Sequence, residues 1–231
     1  MSSDLAALMT RWLGGWTTSR GYAMSSDDAD SATVHVSSPG REVEHVALSE
    51  SAAVHASLVA RSIGRPGHCV TLPTSDRQAT ERLVRQAGYV PLDPEWLMAR
   101  PLADHPAATA PDEFEVVHSS RPGVHVVKVV GPGGLAAKGQ IAVVGRDAVA
   151  DRIFTMPSYR RRGLGRVVMG ALAGTAAAHA AVDGILVASA DGRALYAALG
   201  WRVVTGIVPA GHPKDRRRQA APEQRLTHPL E

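Results

Sequence analysis

The residues whose types and spacing can do chemistry lie in the stretch 154–165, Phe-Thr-Met-Pro-Ser-Tyr-Arg-Arg-Arg-Gly-Leu-Gly. An apolar, strand-like run (Phe154, Thr155, Met156) ends at Pro157. A turn then carries Arg160, Arg161 and Arg162, and Gly163, Leu164 and Gly165 open an alanine-rich helix with Arg166 in its first turn. Glycine lets a backbone approach a ligand with no Cβ in the way. A helix start leaves N–H groups unpaired and carries partial positive charge, so it seats phosphate. Guanidiniums beside it add charge and forked donors. A triple arginine alone fits a solvated turn or a nucleic-acid backbone contact equally well. The Gly-x-Gly and the helix behind it favour a compact anion.

The elements that must hold this stretch read most cleanly after residue 112. Strands are predicted at 114–117 and 124–130, and a hairpin at 135–144 and 148–156 about Gly145-Arg146-Asp147. A long helix follows from about 163 to 181, then a buried strand at 185–188, a short helix capped by Asp191 and stopped at Gly200, and a last strand at 201–204. Before residue 103 the pattern is weaker. Asp4 caps a helix that Gly14-Gly15 ends, and 16–30 reads as irregular and polar, with Asp27, Asp28 and Asp30. Strands follow at 33–36 and 43–48, a helix capped by Ser49 runs through Arg61, and a strand at 68–72 leads to a helix ending at Gly88 and a strand at 96–99. Residues 103–112, rich in Ala, Pro and Asp, make the best linker. This divides the chain into a first domain (1–102), a linker (103–112), a second domain (113–210) and a basic tail (211–231) containing Arg216 to Arg218.

The two halves also echo each other. Residues 81–89, Glu-Arg-Leu-Val-Arg-Gln-Ala-Gly-Tyr, share the layout of 193–201, Arg-Ala-Leu-Tyr-Ala-Ala-Leu-Gly-Trp. Each is a short helix closed by Gly, entering a strand through an aromatic, and each follows a short apolar strand. Where the second copy has Tyr196 the first has Val84, and the first copy has no arginine-glycine turn.

Composition bounds the classes. The chain has 231 residues and is 45% hydrophobic, enough for a real core, but only 4% aromatic, so that core is mostly Val, Leu, Ile and Ala. A formal net charge of +3, with nearly all cations arginine, suits a small anionic ligand as well as nucleic acid. Cys69 is the single cysteine, so no internal disulfide forms and a reducing cytoplasm is expected. No signal peptide, membrane span or metal-ligand spacing is visible.

Arg160 to Gly165, in this context of hairpin, strand, long helix, strand and short helix, resembles the Arg/Gln-x-x-Gly-x-Gly pyrophosphate loop of the GCN5-related N-acetyltransferases (GNAT). Tyr196, four residues before Gly200, fits the same pattern. The resemblance covers about 114–204 and extends only faintly to the first hundred residues, as a degenerate copy. It implies an α/β (α+β) fold with a mixed, mostly antiparallel central sheet flanked by helices, arranged as a tandem pair. It implies acetyl-CoA as co-substrate and a primary amine as acceptor, with Tyr196 as general acid to the CoA thiolate. It places the cofactor against Phe154, Thr155 and Met156, whose strand-end N–H groups polarise the thioester, against the loop from Arg160 to Arg166, and at Ser189.

In one respect the sequence departs from the family. Members place two helices between the first two strands, whereas here only 118–123 intervenes, so the acceptor wall must come from elsewhere, with the N-terminal half as the supplier. Asp151, on the strand leading to the loop, is the base candidate, with His118 and His125 behind it. His179 reads as packed or solvated. Two rival readings stand: a non-catalytic acyl-CoA sensor or scaffold of the same fold, and a nucleic-acid-binding module using the arginine loop and the tail. The acceptor is unidentified, and a homodimer stays open.

Overall fold

The computed structural model describes residues 2–215. In chain order the elements are α1 (Ser2–Arg20), β1 (Ala23–Ser26), β2 (Ser31–Ser38), β3 (Arg41–Ala47), α2 (Ala52–Ser62), β4 (His68–Thr74), α3 (Arg77–Gln86), β5 (Val90–Pro91) and β6 (Glu95–Pro101). Then follow β7 (Glu115–Arg121), β8 (Val124–Gly131), β9 (Gly134–Val144), β10 (Asp147–Thr155), α4 (Leu164–Ala178), β11 (Asp183–Ser189), α5 (Ala190–Ala198) and β12 (Arg202–Gly211). They form two compact units. One holds Tyr22–Glu95 with 2–6 and 206–215; the other holds Ala7–Gly21 and Trp96–Thr205.

In the second unit the strand order is β6-β11-β10-β9-β8-β7. β7 to β10 run antiparallel, and β10 pairs with β11 in parallel. The strands are Val-rich, which suits a pleated, half-buried surface. Val127, Val129, Ala137 and Ile141 meet Val168, Leu172 and Ala176 of α4 in one core. Gly139 lets the helix approach: a Cβ there would lie 2.8 Å from Val168 and 3.1 Å from Leu172.

The first unit repeats part of this plan. Its order is β1-β2-β3-β4-β12, with β3 and β4 parallel around α2 and the other pairs antiparallel. Thus β3-α2-β4-α3 follows the same course as β10-α4-β11-α5, and Tyr89 and Trp201, both buried, close the two helices at the echoed positions. The helix starts differ, as the sequence implies. Ser51, not Ser49, caps α2 by accepting from the Val54 N–H, and Glu50 beside it would repel a phosphate.

Three other readings change. Gly14-Gly15 does not end α1, which runs on to Arg20, because the missing side chain at Gly15 admits the β10 residue Val149, where a Cβ would lie 2.2 Å away. Asp4 sits in the first turn of that helix and does not cap it. Residues 103–112 are not a free connector: the backbone at Pro106 and Ala107 lies on Gly170 of α4, within 3.2 Å of where a Cβ would be, and His105 accepts from the Trp201 indole at 3.3 Å. Of the basic tail, Arg216 to Arg218 lie outside the described residues.

A buried polar chain crosses the first unit. Thr33 Oγ1 donates to Asp27 (2.8 Å), and His45 links Thr33 (3.0 Å) to His68 (3.1 Å). With His45 neutral the chain closes by donation from its Nδ1 to Thr33 and acceptance at its Nε2 from His68. Burial first, then Arg61 and His68, push its imidazole down to about 4. Stability from this group is therefore complete above its ordinary value near 6.5. It falls by up to about 3 kcal/mol as pH drops from 6.5 toward 4, where the unfolded chain binds a proton that the folded one refuses. Amide exchange in β2 to β4 at pH 7 and pH 4.5 is expected to show that loss, and His45→Gln to shrink it.

Candidate functional site

The site is made by two strands that begin together and part. The parallel register of β10 and β11 runs only from Asp147↔Asp183 to Val149↔Ile185. Beyond it, β10 bulges between Asp151 and Phe154, with Arg152 at φ 53°. A bulge adds a residue and bends its strand. β10 then stays with β9, pairing Phe154 with Lys138 and Thr155 with Ala137. A cleft of about 880 Å³ opens where the strands diverge.

The Met156 N–H donates to the Ala136 carbonyl at 2.8 Å. In an antiparallel ladder successive residues turn their polar groups to opposite sides, so the Thr155 N–H and C=O face away from β9, into the gap. The Met156 N–H is therefore spent on the sheet, whereas the Thr155 N–H is turned toward the cleft. Phe154 and Thr155 line the cleft, as does Ile153, which the sequence reading missed.

The far end is the start of α4. Gly163 caps it at φ 79° and Arg161 sits at φ 66°. Of the three non-glycine residues with positive φ among the described residues, Arg152 and Arg161 are at this cleft's edges, where such backbone strain tends to collect. Arg160, Arg161, Gly163, Leu164, Gly165 and Arg166 all line it. Arg162 does not: it lies over the Tyr159 ring at 5.5 Å and 3.8 Å from Glu113.

The third side is α5. Ser189, not Asp191, is its cap, accepting from the Gly192 N–H at 3.3 Å, and its residue also borders the cleft. Tyr196 lines the cleft but is 7% exposed. Burial, and then the charge of Asp151, push its phenol upward, so it stays protonated. Gly192 makes room for its ring, since a Cβ there would lie 2.9 Å from Tyr196 Cε2. Gly192, one helical turn before Tyr196, and Leu195, next to it in sequence, also line the cleft and carry no sequence signal of their own.

Asp151 does not line the cleft, and its carboxylate is engaged. Arg20 holds both oxygens, one at 2.6 Å, and Ser19 donates at 3.0 Å. Ser19 Oγ and its carbonyl also accept from Gln140 (2.7 and 2.9 Å), and the carbonyl from Arg121 (2.6 Å). Arg11 similarly bridges Asp147 and Asp183. The C-terminal part of α1 thus packs on the second unit's sheet, on the face opposite α4. His118, His125 and His179 lie away from the cleft, and the His125 and His179 rings pack together at 4.2 Å.

Residues 92–201 match the family model described as the acetyltransferase (GNAT) family. They form a GNAT acetyltransferase domain. The solved structures agree in fold. A GCN5-related N-acetyltransferase from Kribbella flavida superposes with a TM-score of 0.62 at 14% identity, covering 90% of this chain and 95% of that one. A GCN5-related N-acetyltransferase-like protein from Streptococcus suis gives 0.57 at 10% identity, over 90% and 97%. A tandem GNAT protein from the clavulanic acid biosynthesis pathway gives 0.54 at 10% identity, over 91% and 96%. A search of curated proteins finds no match. The central sheet is mixed and mostly antiparallel, flanked by helices, as the GNAT resemblance implies. Among the described residues no helix is long and apolar enough to cross a membrane, and no cluster of three His, Cys, Asp or Glu is placed to hold a metal.

The Asp151–Arg20 pair is part-buried, the side chains 11% and 25% exposed. Arg20→Met and Asp151→Asn are each expected to cost about 2 kcal/mol, between exposed and fully buried pairs. In a denaturation cycle the double variant loses less than their sum. Additive losses would mean that the pair is not coupled.

Proposed function

We propose that the second unit binds acetyl-CoA in this cleft and transfers its acetyl group to a primary amine by direct attack. One observation carries the reading: a free strand-edge N–H at Thr155 and the neutral phenol of Tyr196 border one cleft whose other end is a glycine-capped helix start with three arginines. The pyrophosphate suits the α4 start, with Arg160, Arg161 and Arg166 adding charge. The pantetheine arm suits the open edge of β10, taken as an added strand. The Thr155 N–H donates to the thioester oxygen as it becomes an oxyanion. The amine nitrogen bonds to the carbonyl carbon and gives its extra proton to solvent; the C–S bond breaks, and the thiolate takes the proton of Tyr196.

One observation favours the second reading, a non-catalytic acyl-CoA-binding protein. Asp151 is held by Arg20 and unavailable as a base, leaving Asp191 as the carboxylate among the residues lining the cleft. The nucleic-acid reading loses its loop arginines to the cleft. The single cysteine, buried, suits a cytoplasmic setting, and duplication of one GNAT copy, with the anion site lost from the first, accounts for the repeated β-α-β-α course.

Calorimetry with acetyl-CoA and a thiol-release assay over an amine panel test this. Tyr196→Phe is expected to lower kcat by roughly a hundredfold, within the range of general acid catalysis, while leaving CoA affinity within about twofold. Because the phenol is shifted upward, wild-type turnover should not fall on its account as pH rises to 10. Absence of acetyl-CoA binding sinks the proposal; firm binding with no turnover over the panel transfers support to the second reading.

A further inference from the structure

The face of the second unit's sheet opposite α4 carries charge that acetyl transfer as described does not use. Gly139 faces α4, so its neighbour Lys138 points to the other face. Lys138 stands directly opposite Lys128 on β8 and opposite Phe154 on β10, and Val117 on β7 stands opposite Lys128. This row across four strands ends at Phe154, which lines the cleft. The next row on the same face, Val126, Gln140 and Asp151, is the one that Ser19 and Arg20 of α1 cover. The lysine row is therefore a half-exposed floor beside the wall that α1 makes.

Two cations directly opposite each other across strands repel. Neither lysine takes part in an ion pair among the described residues, and the neighbouring carboxylate, Asp151, is taken by Arg20. These are two of only three lysines in the sequence. Burial, and then Arg152 and Lys128, weaken the hold of Lys138 on its proton. An anion bound over the pair would offset this repulsion.

We infer that Lys128 and Lys138 bind the anionic group of the acceptor, so that the amine substrate is a small molecule carrying a carboxylate or a phosphate. This rests on the acetyl-transfer reading for the position of the amine. Strands lie about 5 Å apart, so the anion sits about 5–10 Å from an amine poised beside Phe154 and Thr155.

Matched pairs test it: β-alanine against β-alaninamide, an α-amino acid against its amide, and glucosamine 6-phosphate against glucosamine. Calorimetry on the CoA-saturated protein is expected to show the anionic member of at least one pair binding roughly tenfold tighter or better, as a well-placed charge contact gives. Which pair responds separates carboxylate from phosphate. In the Lys128→Gln/Lys138→Gln variant the ratio should fall to within about twofold, with the thermal midpoint not lowered. If acetyl-CoA itself does not bind, the acetyl-transfer reading fails separately, and the same titrations on the unloaded protein still read the lysine floor. Equal binding within every pair, no binding by any anionic member, or a ratio unchanged in the double variant overturns the inference.

Discussion

The second unit depends on one broken ladder. β10 and β11 hold together for three residue pairs and then separate because β10 takes an extra residue between Asp151 and Phe154 and follows β9. A parallel pair that stayed zipped would satisfy its own backbone and leave nothing to bind with. By parting, β10 keeps one unspent edge, and the Thr155 N–H is available because its neighbour Met156 is committed to β9. The helix start at Gly163 and the ring of Tyr196 gain their meaning from bordering that gap.

The carboxylates of these strands depend on α1. Asp147 and Asp151 on β10 are mostly buried, at 17% and 11% exposed, while Asp183 on β11 is half-exposed. Arg11 and Arg20, nine residues apart on α1, reach them. An unpaired buried carboxylate costs several kcal/mol, whereas a well-formed pair roughly breaks even. α1 is thus fixed on the second unit by charge as well as by Gly15 lying on Val149.

What the sequence reveals follows the range over which each signal acts. The arginine-glycine turn, the hairpin before it, α4 and Tyr196 are local patterns, and the structure brings Arg160, Arg161, Gly163, Gly165, Thr155 and Tyr196 to one cleft. Three readings depend on distant partners and go astray. Gly14-Gly15 looks like a helix stop until Val149 is seen to need the space. Asp151 looks like a free base until Arg20, 131 residues away in sequence, is seen to hold it. Residues 103–112 look like a linker until Gly170 is seen to receive their backbone. Arg162 and Met156 belong to the motif by position, yet a ring stack and a ladder bond turn them elsewhere. Lys128 and Lys138 are unremarkable in the sequence, because only strand register sets them face to face.

The strand that follows each short helix also has a consequence for how the chain is made. After the first unit's α3 and the two-residue β5, β6 lies from Trp96 on in the second unit, while β12 follows α5 and from Gly206 on it completes the first unit's sheet against β4. During synthesis the first unit must therefore wait for its last strand. At about 5–20 residues per second, the stretch from residue 95 to 206 takes on the order of ten seconds to emerge. Throughout that interval β4, the buried strand that β12 will cover, has an open edge. β4 is translated well before the strand that covers it, so the first unit's exposure to mispairing is set by ribosome speed as much as by its own sequence.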